Sequence, residues 1–293
     1  MKKVLVTGGT GIIGVNLINR LKQNPDLDID SHSSSCYSLL YMPSCKRIGG
    51  AGKYDIIYHL AGYGQPKKFN INPELTHQLN TTAIHNLLQR KLKSNGRFIF
   101  MSTSEIYNGG YSNKETDAIT LNPSNPRGCY TSGKLCGEEI LRYSGVNATV
   151  IRICLAYGPG FKVGDTRVLY ELVHKALTTG CINLMDQGLA FRNYIYIDDA
   201  LDMLFKILDK KQKGFQLYNI GGKQSIRIID VAHIISELTG AKVIPGPASG
   251  TLVGSPDFAG VNIDKFEDEY GPQSFVDIKT GIRNCIEWYR SIL

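Results

Sequence analysis

Tyr130 and Lys134 stand four residues apart in Gly128-Cys129-Tyr130-Thr131-Ser132-Gly133-Lys134. On a helix, residues i and i+4 share a face, so this spacing sets an ammonium beside a phenol. The ammonium favours the phenolate and draws a group of ordinary pKa about 10 toward working pH, which suits it to proton transfer. In a chain with 16 tyrosines the pair alone is a weak signal. It gains weight from a glycine-rich stretch far upstream, Gly8-Gly9-Thr10-Gly11-Ile12-Ile13-Gly14.

That stretch follows the β-branched run Val4-Leu5-Val6-Thr7, which reads as a buried strand, and precedes helical apolar spacing at Val15, Leu17, Ile18 and Leu21. In such a strand-to-helix turn Gly8 permits the tight bend, Gly11 lets the backbone approach a pyrophosphate, and Gly14 lets the helix pack on the sheet. The amides of Ile12 and Ile13 then open a helix whose N-terminus faces the phosphates. No Gly-Lys-Ser/Thr follows, which excludes a P-loop. A dinucleotide held there also needs an acidic residue on its adenosine ribose at the end of the second strand. Asp30 is the choice among several carboxylates in residues 26–33, a stretch that makes a poor strand. No arginine follows it directly, which favours NAD over its 2′-phosphate form.

The elements that must position these residues alternate. Strands are expected over residues 54–62, 97–101, 149–153 and 215–220, and helices over 73–92, 130–142, 168–178, 200–209, 228–239 and 280–292. This alternation argues an α/β fold, a doubly wound parallel Rossmann sheet with right-handed crossovers. A smaller C-terminal substrate lobe, interleaved with the sheet, is expected: residues 1–157 bind the dinucleotide and 158–293 mainly bind substrate. Residues 31–53 show no clean periodicity, and a normal second and third strand are hard to place there.

A chain of 293 residues, 42% hydrophobic, has a sizeable core available, which excludes a disordered class. Its longest apolar runs are too short to span a bilayer, and no secretory pattern opens it. The formal charge of +7 is spread out and reads as a solvated basic surface, not a nucleic-acid interface. Seven cysteines at irregular spacing, without Cys-x-x-Cys, and six unclustered histidines suggest no metal site. A reducing cytoplasm fits best.

With the turn, the Tyr-Lys pair and the alternation in hand, the chain resembles the extended short-chain dehydrogenase/reductases, and among them the NAD-dependent epimerase/dehydratase family acting on nucleotide sugars. The resemblance runs through His59-Leu60-Ala61-Gly62, Asn80, Ser102-Thr103-Ser104-Glu105-Ile106-Tyr107, Tyr157-Gly158-Pro159 and Arg192-Asn193-Tyr194-Ile195-Tyr196-Ile197-Asp198-Asp199. It implies that Leu60, Ala61, Gly62 and Asn80 join the glycine turn and Asp30 in holding NAD. It implies that Tyr130 takes a proton from a sugar hydroxyl, usually at C4, that Lys134 holds the nicotinamide ribose, and that Thr103 bonds the same hydroxyl. Ser104 and Arg192 fall where the family meets substrate, while Arg127, in the loop before Tyr130, is a candidate either for substrate contact or for a solvated position. Glu105 matches the acid of GDP-mannose dehydratases and UDP-glucuronate decarboxylases, which simple 4-epimerases generally lack. The resemblance also implies a homodimer through a four-helix contact made by residues 73–92 and 130–142, whose outer faces should then show apolar positions.

Two departures stand out. Leu155-Ala156 occupy the place where the family commonly carries Asn before Tyr157, and residues 255–260 offer no arginine. The expected activity is modification of a nucleotide sugar through transient C4 oxidation, leaning to dehydration or decarboxylation, with epimerisation close behind. The rivals are an NADPH-consuming reductase of keto-sugars and a non-catalytic dinucleotide-binding regulator.

Overall fold

The computed structural model describes residues 1–33, 37–41, 48, 52–110, 112–122, 124–210, 213–248 and 256–293. The chain opens with β1 (Lys2–Thr7), α1 (Ile12–Leu21), β2 (Leu27–His32) and the short α2 (Tyr37–Leu40). It continues through β3 (Tyr54–His59), α3 (Pro66–Ile71), α4 (Pro73–Asn80), α5 (Thr82–Arg90) and β4 (Leu92–Thr103). A 3₁₀ turn (Ser104–Tyr107), α6 (Gly128–Tyr143) and β5 (Asn147–Ile153) follow. The rest of the chain supplies β6 (Leu155–Tyr157), α7 (Val168–Thr179), β7 (Cys181–Asn183), β8 (Phe191–Tyr196), α8 (Ile197–Asp209) and β9 (Phe215–Ile220). It ends with β10 (Ser225–Arg227), α9 (Ile228–Thr239), β11 (Lys242–Ile244), β12 (Phe258–Ala259), α10 (Asp264–Tyr270) and α11 (Ile278–Arg290).

The main sheet has six strands in the order β2-β1-β3-β4-β5-β9, paired in parallel throughout. Val4, Leu5 and Val6 have no exposure, because helices cover both faces of a parallel sheet and an unbroken apolar run then fits β1. Strand order reverses between β1 and β3, so the crevice at their carboxyl ends is the place for a ligand. The doubly wound α/β fold is therefore present. β9 returns to this sheet from beyond the second group of strands, in which β8 lies between β10 and β12 and also pairs β6.

Two local expectations change. Residues 26–33, poor in strand formers, still form β2, in unbroken register with β1 from Lys2↔Leu27 to Thr7↔His32. Its carboxylates suit an edge position, where side chains keep contact with water. The single helix expected over 73–92 is two helices, broken at Thr81 (φ −127°, ψ −76°). The cause is side-chain competition for helix carbonyls: Asn80 Nδ2 donates to Thr76 O at 2.8 Å and Thr81 Oγ1 to His77 O at 3.0 Å. Residues 34–36, 42–47 and 49–51 of the aperiodic stretch, with residues 249–255, lie outside the described residues.

α6 packs closely on α4 because two glycines face it. A Cβ at Gly137 would lie 2.5 Å from Asn80 O, and one at Gly133 3.2 Å from His77 Cα. The outer faces of α5 and α6 are mostly polar: His85, Gln89, Cys136 and Arg142 are exposed, beside half-buried Leu135 and an exposed Tyr143. Among the described residues, no helix is long and apolar enough to cross a membrane.

Candidate active site

The glycine turn forms a cradle. Gly8 has φ +76°, and a Cβ there would sit 2.7 Å from Leu60 C and Ala61 N, so the loop after β3 lies directly on the turn. A Cβ on Gly14 would come within 2.4 Å of Gly8 O, which fixes how closely α1 meets the turn. At Gly11 the added atom would meet only Gly8 O, at an ordinary 3.5 Å, leaving the mouth of the cradle open. Gly11 caps α1 without a side-chain hydrogen bond, and the first turn holds no acid. The amides of Ile12, Ile13 and Gly14 are thus offered to an anion.

Asp30 is opposite Leu5 in the ladder, on the sheet face away from α1, and its Oδ2 accepts the Tyr54 hydroxyl at 2.6 Å. Ser31 stands nearer the turn: a Cβ on Gly9 would lie 3.3 Å from Ser31 Cβ.

At the end of β3, His59 is fully buried and bonds on both sides. Thr7 Oγ1 donates to Nδ1 at 2.8 Å, and Nε2–H donates to Leu79 O at 2.9 Å. The sequence showed no partner for it. Burial lowers its pKa to about 4, so it is a neutral strut between β1 and α4. The Leu79 bond delivers the next residue, Asn80, whose buried Oδ1 has no partner. A Cβ on Gly62 would be 3.6 Å from that oxygen and 3.7 Å from Lys134 Nζ. Unpaired buried oxygens are costly, and this one lies where a ligand hydroxyl beside Lys134 would satisfy it. The open cradle and the orphaned Asn80 oxygen fit a dinucleotide.

Lys134 Nζ donates to Met101 O at 2.6 Å and lies 4.7 Å from the Phe100 ring centroid and 5.9 Å from that of Tyr130. Burial pulls its pKa down to about 7, against the opposing charge of Glu138. The Thr103 side chain lies close enough to the Tyr130 hydroxyl to act on it. The site raises the Tyr130 pKa instead of lowering it as expected. Burial pushes it well up and the Glu105 charge adds to this, while Thr103, Arg127 and Arg167 oppose. Desolvation of a phenolate outweighs the attraction of nearby cations here.

Glu105 sits two residues beyond Thr103 because β4 ends there in a 3₁₀ turn, with the Glu105 amide donating to Thr103 Oγ1 at 3.2 Å. Ser104 is buried in the same turn. Arg127 Nη1 donates to Glu105 Oε1 at 2.9 Å, and its guanidinium lies 6.0 Å from the Phe69 ring centroid. Arg192 is buried and donates to Phe191 O and Pro256 O at 2.7 and 3.0 Å; its charge interacts with Arg127 and Glu105. Thr103, Glu105, Arg127, Tyr130, Lys134 and Arg192 therefore form one neighbourhood. Sequence reasoning missed two members. Phe69 stacks on Tyr130 and left no motif. Arg167, held by Asp165 at 2.6 Å, acts electrostatically on Tyr130; its signal was the Gly164-Asp165-Thr166-Arg167-Val168 segment.

A glycine cradle at the switch point, with a Tyr-x-x-x-Lys helix closing over it, defines a dinucleotide-binding protein of the extended short-chain dehydrogenase/reductase kind. The chain belongs to the NAD dependent epimerase/dehydratase family, whose profile matches residues 4–221. It is 26% identical over 257 residues to UDP-glucuronic acid decarboxylase 6 of Arabidopsis thaliana, spanning 80% of this chain and 74% of that protein. Among solved structures it is similar to MoeE5 in complex with UDP-glucuronic acid and NAD (TM-score 0.80, 20% identity, 99% of this chain and 100% of that one). It is also similar to RMD from Pseudomonas aeruginosa complexed with NADPH (TM-score 0.79, 20% identity, 100% of both chains).

Proposed function

We propose that this protein binds NAD and a nucleoside diphosphate sugar, oxidises the sugar transiently at C4, and then eliminates water or carbon dioxide. One observation carries the reading: Thr103 and the charge of Glu105, itself paired to Arg127, both bear on the Tyr130 hydroxyl. The glycine cradle, Asp30, Leu60, Ala61, Gly62 and Asn80 hold NAD, which when bound supplies the acceptor for the C4 hydrogen. Tyr130 takes the proton of the C4 hydroxyl, and Thr103 orients that hydroxyl. Lys134 holds the nicotinamide ribose and stabilises the phenolate. A 4-keto sugar is acidified at C5, and Glu105 is within reach of that neighbourhood to accept or return a proton.

The cations favour an anionic substrate. Arg127, Arg167 and Arg192 surround Tyr130 and Glu105, and a guanidinium suits diphosphate or carboxylate. The similarity to decarboxylases of UDP-glucuronic acid makes a sugar acid the first candidate. The family resemblance supports a homodimer through α4–α6, although the outward residues there are mostly polar, and cysteines 129, 136, 154, 181 and 285, all free, support a reducing, cytoplasmic setting.

The test is mass spectrometry of the denatured protein for released cofactor, with incubation against UDP-, GDP-, dTDP- and CDP-sugars. Retained NAD and a product lighter by water or carbon dioxide are expected. A product of unchanged mass makes the protein an epimerase. Turnover only with added NADPH makes it a reductase and overturns the role given to Glu105.

A further inference from the structure

Three consecutive residues at the end of β4 meet three successive turns of α6. Met101 O accepts Lys134 Nζ, Ser102 Oγ donates to Glu138 Oε1, and Thr103 stands beside the Tyr130 hydroxyl. Glu138 has no exposure, and its carboxylate is filled from the other side by Arg152 of β5. Arg152 Nε lies 3.2 Å from each carboxylate oxygen, and Nη2 donates to Oε2 at 2.8 Å. The register sets Ser102 beside Arg152, so one carboxylate spans two neighbouring strands. Arg152 Nη1 also donates to Tyr107 Oη at 3.0 Å, which passes its own hydrogen to Asn219 Oδ1 at 2.8 Å. The bonded chain of residues thus ends in β9, the last strand of the main sheet.

Packing alone does not require this arrangement. A buried ion pair loses hydration on both sides, and an apolar pair of similar volume would hold the helix equally well. The surroundings of Lys134 supply the reason. From α6 it faces Tyr130 and Glu138, from β3 the neutral His59, from β4 the Met101 carbonyl and the Phe100 ring, and from α4 the Asn80 carboxamide. Glu138 is the carboxylate in this set.

We propose that Glu138 is a positioning residue for the Tyr130–Lys134 pair: anchored by Arg152 and Ser102, it fixes the height of α6 on the end of β4 and supplies the negative charge that Lys134 faces. Its catalytic consequence rests on the function proposed above, but its test needs no substrate. In lysine-labelled, cofactor-free protein, the Lys134 ¹³Cε resonance, identified by its loss in Lys134→Met, is titrated by NMR. The wild type is expected to titrate near 7. In the double variant Glu138→Met with Arg152→Met the midpoint falls, by less than about one pH unit, because the loss of the carboxylate charge that raises it outweighs the loss of the Arg152 charge behind it. Replacing both partners preserves folding, since it leaves no unpaired buried charge. Glu138→Gln keeps the side-chain shape and moves the midpoint the same way, which provides the readout should the double variant not fold. Ser102→Ala removes a tie but no charge and leaves the midpoint in place. Unchanged midpoints in the charge-removing variants overturn the proposal.

Discussion

Phe69 lies flat on Tyr130, with ring centroids 4.9 Å apart and planes 5° from parallel. A stacked pair contributes roughly 0.5–1.5 kcal/mol beyond its buried area, and here it also fixes the plane of the ring whose hydroxyl meets Thr103. Phe69→Leu keeps an apolar side chain while freeing that ring. We expect kcat to fall about tenfold, the equivalent of ~1.4 kcal/mol of lost positioning, with NAD affinity unchanged. Steady-state kinetics beside NAD titration checks this. Loss of NAD binding would instead make Phe69 a cofactor-site residue.

Glu105 raises the Tyr130 pKa, and its removal should be legible in two ways. In Glu105→Gln a negative charge is lost beside the phenol and Arg127 is released from its ion pair, both of which favour phenolate. The pH–rate limb belonging to Tyr130 should move to lower pH. Loss of the acid–base group should slow elimination by about 10²–10⁴-fold. A variant that still forms product at the wild-type rate removes Glu105 from the chemistry.

The site was readable where its requirements are local. Gly8 and Gly14 are demanded by one tight turn, and Tyr130 and Lys134 by one helical turn, so the two spacings together display them. The parallel sheet was readable from alternation for the same reason. β2 was not, because an edge strand with two aspartates is made by its register with β1 and not by its own propensity. The break at Thr81 depends on which way two polar side chains turn. Phe69, and the Glu138–Arg152 pair, become partners only when the sheet brings distant segments together. The Tyr130 pKa was misjudged because spacing reveals a neighbouring charge but not the depth of burial that opposes it.

His59 ties acid stability to the site. Its pKa is about 4 in the fold against 6.5 when unfolded, so between these values the unfolded chain binds more protons. Its contribution is complete above pH 6.5 and is lost as pH falls toward 4, on the order of 3 kcal/mol in all. Denaturant melts at successive pH values should show this slope, and His59→Gln should remove part of it. A variant with the wild-type slope would show that other groups govern the acid limb.

Gly137 and Gly133 separate two degrees of crowding at one helix contact. A Cβ at Gly137 would be 2.5 Å from Asn80 O, 2.9 Å from Ile84 Cδ1 and 3.0 Å from Phe100 Cε1, whereas at Gly133 the nearest atom is His77 Cα at 3.2 Å. The first overlap involves backbone and cannot be relieved by a rotamer, so α6 must lift from α4. Overpacking of this kind costs about 1–3 kcal/mol. Lifting α6 also draws Lys134 from Met101 O and Tyr130 from Thr103. Gly137→Ala should therefore lower both melting temperature and kcat, while Gly133→Ala needs a shift of only tenths of an ångström and should lower each less. Equal losses in the two variants would mean that the α4–α6 distance does not set the position of the Tyr130–Lys134 pair.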